Sequence, residues 1–232
     1  MTITTAEDWR VVSGESLRFF GEMSASVSHE IRNKLAVINE KAGLVQDIAM
    51  AMKSGRSIDP DRLEVQAGKI IDQIRRANQI VGALSRLGHS VDATQTSTDM
   101  TKLVALVAEL YGRKASQAEI TIDTTGMADG VSVTTNPFLL VNLIGACIDT
   151  ALPRVDGSRI LAIASEPSDD GAIVRFQHLE GVNDSDVQLG GEDSGLHAML
   201  AMLGGRVVAD CRRGELVLEV RSCEQSESGS QL

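Results

Sequence analysis

One octapeptide concentrates the chemistry this chain can be expected to do: Ser28-His29-Glu30-Ile31-Arg32-Asn33-Lys34-Leu35. A neutral imidazole nitrogen is a nucleophile near neutral pH, and a carboxylate beside it can orient the ring and accept its proton. Glu30 is the next residue, and Asn33 follows His29 by four, which on a helix is one turn along the same face. An amide there can position a water against a phosphoryl group. The set suits phosphoryl chemistry, with His29 as phosphoacceptor, Glu30 as orienting acid or general base, and Asn33 as the water-positioning residue. By itself a surface histidine beside a glutamate is also ordinary solvated helix face, so the surrounding elements decide what it means.

Those elements read as two long helices over residues 15 to 88. In the second, Leu63, Ala67, Ile70, Ile74, Ala77, Val81 and Leu84 follow a strict 4-3 alternation, the seam of a coiled coil or helical bundle. Asp59 ahead of Pro60 supplies a cap, and Gly88 a stop. The first helix nearly repeats the pattern through Phe20, Met23, Val27, Ile31, Leu35, Ile38, Ala42, Val45, Ala49 and Met52, with two successive four-residue steps from Val27 to Leu35. At about 100° per residue His29 lies far from both Val27 and Ile31 and faces solvent. The short connection from Ser54 to Asp59 makes the helices antiparallel neighbours. An isolated hairpin cannot bury both stripes, so a homodimeric four-helix bundle is expected.

Composition narrows the remaining possibilities. The 232 residues are 43% hydrophobic and 23% charged, with a formal net charge of −10. No basic patch suggests nucleic-acid binding. No apolar run approaches the roughly 20 residues of a membrane span, and residues 1 to 10 lack a signal-peptide core. Three cysteines (Cys147, Cys211 and Cys223) are too few and scattered for a disulfide framework or a metal site, and read as reduced thiols in a cytoplasmic protein. Met50, Met52, Met199 and Met202 read as core, and residues 1–14 and 223–232 as flexible ends.

Residues 89–98 are polar and read as a linker. From 99 to 222 helical and strand patterns alternate. A helix spans Asp99 to Lys114, alternating runs Ile120 to Asp123 and Val131 to Thr134 follow, and Asn136 caps a helix from Pro137 to Leu152. Strands over 159–165 and 172–177 form a hairpin, a last helix covers 194–203, and strands 206–210 and 216–220 close the domain. Helices on one mixed sheet make an α/β sandwich.

The motif from Ser28 to Leu35, on a long 4-3 helix followed by a turn and a second such helix, resembles the dimerisation and phosphoacceptor domain of sensor histidine kinases. The resemblance implies His29 as the phosphorylated residue, Glu30 as general base or orienting acid, and Asn33 as the residue assisting phosphatase activity. Arg32 and Lys34 are the expected partner contacts. Lys34 departs from the family, many members of which carry a kinking proline there. The order of elements over 99–222 resembles the family's Bergerat-like ATPase domain. Asn136 to Ala151 looks like its N-box helix, and Ser194-Gly195-Leu196 like its second glycine box.

The ligand residues of that domain do not follow. Aligned on Asn136-Pro137, the positions that should hold Mg²⁺ against a triphosphate are Ala146 and Thr150, while Asn142 and Asp149 fall out of phase. His178 stands where the adenine-reading Asp should be, with Glu180, Gly181 and Asn183 after it. Asp193 and His197 replace glycines around Gly195, and an acid there would repel phosphate. The stretch between His178 and Ser194 is short for an ATP lid. These positions (Thr150, His178, Asp193, Gly195 and His197) imply a degenerate domain that binds no ATP and no metal of its own. Gly190 to Gly195 alone is a weak phosphate-loop signal, and His178 and His197 lack the neighbours of a metal site.

The resemblance is therefore to bacterial histidine phosphotransferases of the ChpT type, which combine such a hairpin with a degenerate ATPase domain. It implies a soluble phosphorelay intermediate that shuttles a phosphoryl group between His29 and the aspartates of response-regulator receiver domains. The Mg²⁺ would belong to the partner receiver. An atypical ATP-dependent sensor histidine kinase/phosphatase and a non-catalytic dimeric receiver-docking module are the alternatives.

Overall fold

The computed structural model describes residues 6–57, 59–188 and 195–223. It opens with helix α1 (Ala6–Lys53) and helix α2 (Asp61–His89). The turn between them is closed by Ser54 N–H to Met50 O and Arg56 N–H to Ala51 O, with Gly55 at φ 84°, a left-handed conformation that favours glycine. The Asp59 carboxylate accepts from Asp61 N–H at 3.1 Å, beside Pro60, as the cap reading expected. Gly88 lies inside α2 rather than at its stop, since the helix runs on one residue to His89.

Strand β1 (Thr96–Asp99) follows, then α3 (Met100–Gln117), β2 (Thr121–Met127), β3 (Ser132–Thr135) and α4 (Pro137–Ala151). After a 3-10 turn at Leu152–Arg154 come β4 (Ile160–Ser168), β5 (Gly171–Gln177) and a second 3-10 turn at Asp184–Gln188. The chain closes with α5 (Gly195–Met202), β6 (Arg206–Asp210) and β7 (Glu215–Arg221). A mixed five-stranded sheet has the order β2-β4-β5-β7-β6, in which β2 pairs parallel with β4 and the other pairs are antiparallel. The expected architecture is present: a helical hairpin followed by helices on a mixed sheet.

Several boundaries differ from the sequence reading. The linker expected over 89–98 contains β1, which pairs antiparallel with β3, Thr98 opposite Val133. Its run of threonine and serine carries no apolar alternation, so the strand owes its existence to the partner edge rather than to its own pattern. The two runs flanking Gly126 and Gly130 belong to different sheets, β2 beside β4 and β3 beside β1.

Residues 6–14, expected to be flexible, form the first turns of α1. The reason is packing: Val12 is 1% exposed and Phe19 8%. A side-chain carbon placed on Gly145 would meet the Phe19 ring at 2.7 Å and the Tyr111 hydroxyl at 2.9 Å. One placed on Gly195 would meet Glu15 and the Val11 carbonyl oxygen. Accordingly the chain divides into two compact units, one of residues 22–85 and one of residues 1–21 with 86–232, so the division falls within α1 rather than ahead of it. At the other end Cys223 is tied by its N–H to Thr134 O at 2.9 Å, and Ser222 N–H bonds Asp170 O. The rest of the tail expected to be flexible, 224–232, lies outside the described residues, as do residues 1–5.

The core of the larger unit is aliphatic. Leu140, Leu143, Ile144 and Ile148 of α4 are fully buried, as are Leu161 and Ile163 of β4, Val174 and Phe176 of β5, Met199 of α5 and Leu218 of β7. Asp99 caps α3 by accepting from Lys102 N–H at 3.0 Å, and Asn136 caps α4 by accepting from Leu139 N–H at 3.0 Å ahead of Pro137. Met199 is core as expected. Met50 and Met52 are not: at 62% and 43% exposure they stand near the tip of the hairpin, uncovered by the rest of the chain.

Candidate functional site

The hairpin unit carries the nucleophile. Along α1, Met23 and Val27 are buried and Ile31 is half-buried, while His29 lies between them and is exposed. Helical phase alone produces this arrangement. Asn33, one turn on and also exposed, brings its amide Nδ2 to 3.3 Å from His29 Nδ1. The contact is to Nδ1, and the His29 side chain is exposed.

Glu30 occupies a different stripe. It is half-buried and pairs with Lys34 at 3.6 Å across one turn, with about a fifth of each side chain exposed. The structure thus joins His29 to Asn33 and Glu30 to Lys34, two pairs at i,i+4 spacing on adjacent faces of one helix. Glu30 and the imidazole are not brought together in this arrangement. Of the two expected partner contacts, Arg32 is exposed beside the histidine, whereas Lys34 is drawn to Glu30. A proline at position 34 could make neither side of that ion pair, so the lysine there has a structural consequence. The i,i+4 spacing of Glu30 and Lys34 is visible in the sequence and was the available signal for it.

The α/β unit places the degenerate positions as follows. Thr150 is half-buried and its hydroxyl donates back to Ala146 O at 3.0 Å, which occupies it within its own helix. Asp149 turns to α3, where Tyr111 Oη donates to it at 2.9 Å and Lys114 forms an ion pair with it. Asn142 is 1% exposed and donates to Phe138 O at 2.7 Å. Asp149 is therefore out of phase with Ala146 and Thr150, whereas Asn142, one turn before Ala146, lies on their stripe, against the sequence expectation, and is buried and bonded within its own helix.

His178 is exposed at φ 66°, just past the end of β5. It lies near Asp123 and Asp156, whose carboxyls are held below their usual range mainly by hydrogen bonds from Thr125 and Ser158, with a smaller contribution from His178. Gly195 is buried and His197 exposed. Asp193, Ser194, Gly190 and Gly191 lie outside the described residues.

One pair in this unit has no signal in the sequence. Arg154, in the 3-10 turn after α4, forms an ion pair with Asp186 in the turn Asp184–Gln188, and its guanidinium also donates to Thr150 O at 3.3 Å. Asp186 is 6% exposed and accepts from Asn183 N–H at 2.9 Å. The short segment after His178 is thus fastened to the end of α4 by a largely buried carboxylate and guanidinium. A separate concavity of about 500 Å³ is lined by Trp9, Leu17, Phe20, Val91 and Phe138, with Ser13 and Asn136 among its few polar members. It holds no ionisable group and offers nothing for phosphoryl chemistry.

Solved structures to which this chain is similar, each at a TM-score under 0.5, include the three that follow. They are histidine kinases. Acinetobacter baumannii AdeS matches 83% of this chain and 97% of its own at 16% identity, with a TM-score of 0.46. The cytoplasmic segment of QseC matches 65% of this chain and 94% of its own at 21% identity and a TM-score of 0.40. ShkA, solved full-length in complex with AMPPNP, matches 80% of this chain and 46% of its own at 16% identity and a TM-score of 0.44. No family model matches the chain, and no curated protein matches it. Among the described residues, no helix is long and apolar enough to cross a membrane.

Proposed function

We propose that this chain is a histidine phosphotransferase of two-component signalling, relaying phosphoryl groups between receiver-domain aspartates through His29 without binding ATP itself. The observation that carries the reading is the exposed His29 with the Asn33 amide on its ring. In the forward step an imidazole nitrogen attacks the phosphorus of an aspartyl phosphate. The N–P bond forms as the P–O bond to the aspartate breaks, and the electron pair leaves with the carboxylate. The reverse sequence delivers the group to a second receiver. Positioning and charge neutralisation dominate such transfers, so a receiver that brings its own Mg²⁺ needs little more from this chain than an accessible, oriented nucleophile.

Two further observations support the reading. The α4 positions that would have to hold a metal–triphosphate offer a methyl group at Ala146 and a hydroxyl already bonded within the helix at Thr150. The nearby carboxylate of Asp186 is neutralised by Arg154 rather than open to a cation. Residues on α1 and α2 that a lone hairpin leaves bare, Leu35, Ile74 and Val81 among them, are 55%, 44% and 50% exposed, which suits a second copy of the chain as their cover.

The test is phosphotransfer from a ³²P-labelled receiver domain. The wild-type chain should take up label and His29→Ala should take up none, a loss of at least a thousandfold for removal of the nucleophile. Labelling of His29→Ala at the wild-type rate would sink the proposal by placing the phosphoacceptor elsewhere, and a wild type that takes up no label would favour a docking module. Saturable Mg²⁺-ATP binding by calorimetry with autophosphorylation at His29 would instead establish an atypical kinase.

A further inference from the structure

We propose that Asn33, rather than Glu30, is the positioning residue for the His29 ring, and that its amide serves the imidazole in both proton states of the transfer. The inference rests on the phosphotransfer reading and adds a division of labour within the motif. Asn33 Nδ2 is 3.3 Å from His29 Nδ1, whereas the carboxylate of Glu30 lies on the half-buried stripe and is held by Lys34 at 3.6 Å.

An amide is suited to this place because its two ends are nearly the same size and opposite in hydrogen-bonding sense. For Nε2 to attack phosphorus its lone pair must be free, so the neutral ring carries its proton on Nδ1. That Nδ1–H donates to the amide oxygen of Asn33. As the N–P bond forms and the aspartate leaves as carboxylate, the ring becomes a phosphorylated imidazolium. Loss of the Nδ1 proton to water then leaves a lone pair on Nδ1, which accepts from the amide NH₂. A half-turn of the amide switches between the two, and the arrangement in which Nδ2 donates to Nδ1 is the second of them.

A carboxylate at the same place could only accept, and would favour one proton state over the other. Asn33 holds the ring in the same orientation through both, which fits a group that must both receive and surrender its phosphoryl. The contact is exposed in the free chain and correspondingly weak. A docked receiver would exclude water from it and strengthen it.

The experiment is ¹⁵N NMR of the imidazoles in the full chain at about pH 8.5, where an ordinary imidazole is neutral. His29→Gln identifies the His29 signals, and circular dichroism confirms that each variant folds. In Asn33→Ala the His29 nitrogens should shift toward the tautomer ratio of free imidazole, and receiver-to-His29 transfer should slow about fivefold, the population change that one ordinary hydrogen bond produces. Asn33→Asp, which retains the acceptor and removes the donor, should move the signals toward the Nδ1–H form. Glu30→Gln should leave the ring signals where they are.

Unchanged His29 signals in Asn33→Ala, or signals that move with Glu30→Gln instead, would overturn the proposal. Transfer that persists in His29→Ala while the ring signals respond as expected would overturn the phosphotransfer reading and leave the contact standing. Transfer that needs His29 while Asn33→Ala leaves its ring untouched would overturn only the positioning role.

Discussion

At the scale of single residues, ionisable side chains in this molecule are assigned by which stripe of a helix they occupy. His29 and Glu30 are adjacent in sequence and separated by about 100° of helix, so the carboxylate that sequence proximity suggests for the imidazole is in fact a partner for Lys34. The same logic turns Asp149 toward Tyr111 and Lys114 and away from Thr150. Arg154 and Asp186 form the pair with the most at stake, because the carboxylate is 4% exposed and cannot be re-solvated in place. Removing one member of such a pair strands the other. With the Arg154 side chain 30% exposed and able to re-solvate, Asp186→Ala should destabilise the α/β unit by about 2 kcal/mol, below the roughly 3–5 kcal/mol lost when a fully buried pair is broken. Urea unfolding followed by sheet circular dichroism measures this. A midpoint equal to wild type would show that the short segment is not fastened by the pair. The position of His29 was legible from phase alone, because a 4-3 stripe fixes which residues lie off it. The Arg154–Asp186 pair was not, because a contact between residues 32 apart leaves no periodic trace.

At the scale of elements, helices and sheet strands with their own apolar rhythm were readable, and those made by their neighbours were not. Helices α3 and α4 announce themselves through caps at Asp99 and Asn136 and through continuous apolar runs. Strand β1 is polar throughout and exists by pairing with β3, and the first turns of α1 are ordered by contact with the α/β unit around Gly145 and Gly195. Both were therefore read as irregular. Two predictions follow from this distinction. Gly145→Ala should cost about 1–3 kcal/mol, since its methyl would press on the Phe19 ring and the Tyr111 hydroxyl. Phe19→Leu in the same chain should return part of that loss, and strict additivity in a thermal double-mutant cycle would show that the two do not meet.

The second concerns the α3 cap. The Asp99 carboxyl is held below its ordinary value, chiefly by the backbone N–H of Lys102. A lowered folded-state value means that the cap stabilises above the unfolded pKa of about 3.9 and that this contribution is lost as pH falls through the folded value. Asp99→Ala should cost about 1 kcal/mol at pH 7, and the gap from wild type should close below about pH 4. A gap that persists undiminished at pH 3 would refute the cap as its origin.

At the scale of the whole molecule, the hairpin is where sequence pattern and single-chain burial disagree, and the disagreement is informative. The sequence places Ala67, Ile74 and Val81 in the same seam as Leu63, Ile70, Ala77 and Leu84. In the structure Leu63, Gln66, Ile70, Gln73, Ala77, Ile80 and Leu84 are half-buried, whereas Ala67, Ile74 and Val81 are exposed. The 4-3 pattern therefore comprises two stripes. One is the stripe that a hairpin shields within itself, and it tolerates Gln66 and Gln73. The other is purely apolar and bare, and it has its counterpart on α1 in Leu35, Leu44 and Met52 at 55%, 40% and 43% exposure. Apolar side chains repeated along both helices on an uncovered face suit an interface, and the proposed two-fold pairing of hairpins would cover them. Burying Ile74 and Val81 in such a pairing would stabilise it by roughly 1.5–3 kcal/mol per side chain. The double variant Ile74→Glu with Val81→Glu reverses that and sets like charges against each other. On the proposed pairing the wild type should be dimeric by light scattering and this variant monomeric at the same concentration, with unchanged sheet circular dichroism, because neither residue belongs to the α/β unit. A variant that remains dimeric would move the interface to another face. A monomer that still accepts phosphoryl from a receiver would show that His29 and Asn33 need only their own helix, as their i,i+4 contact implies.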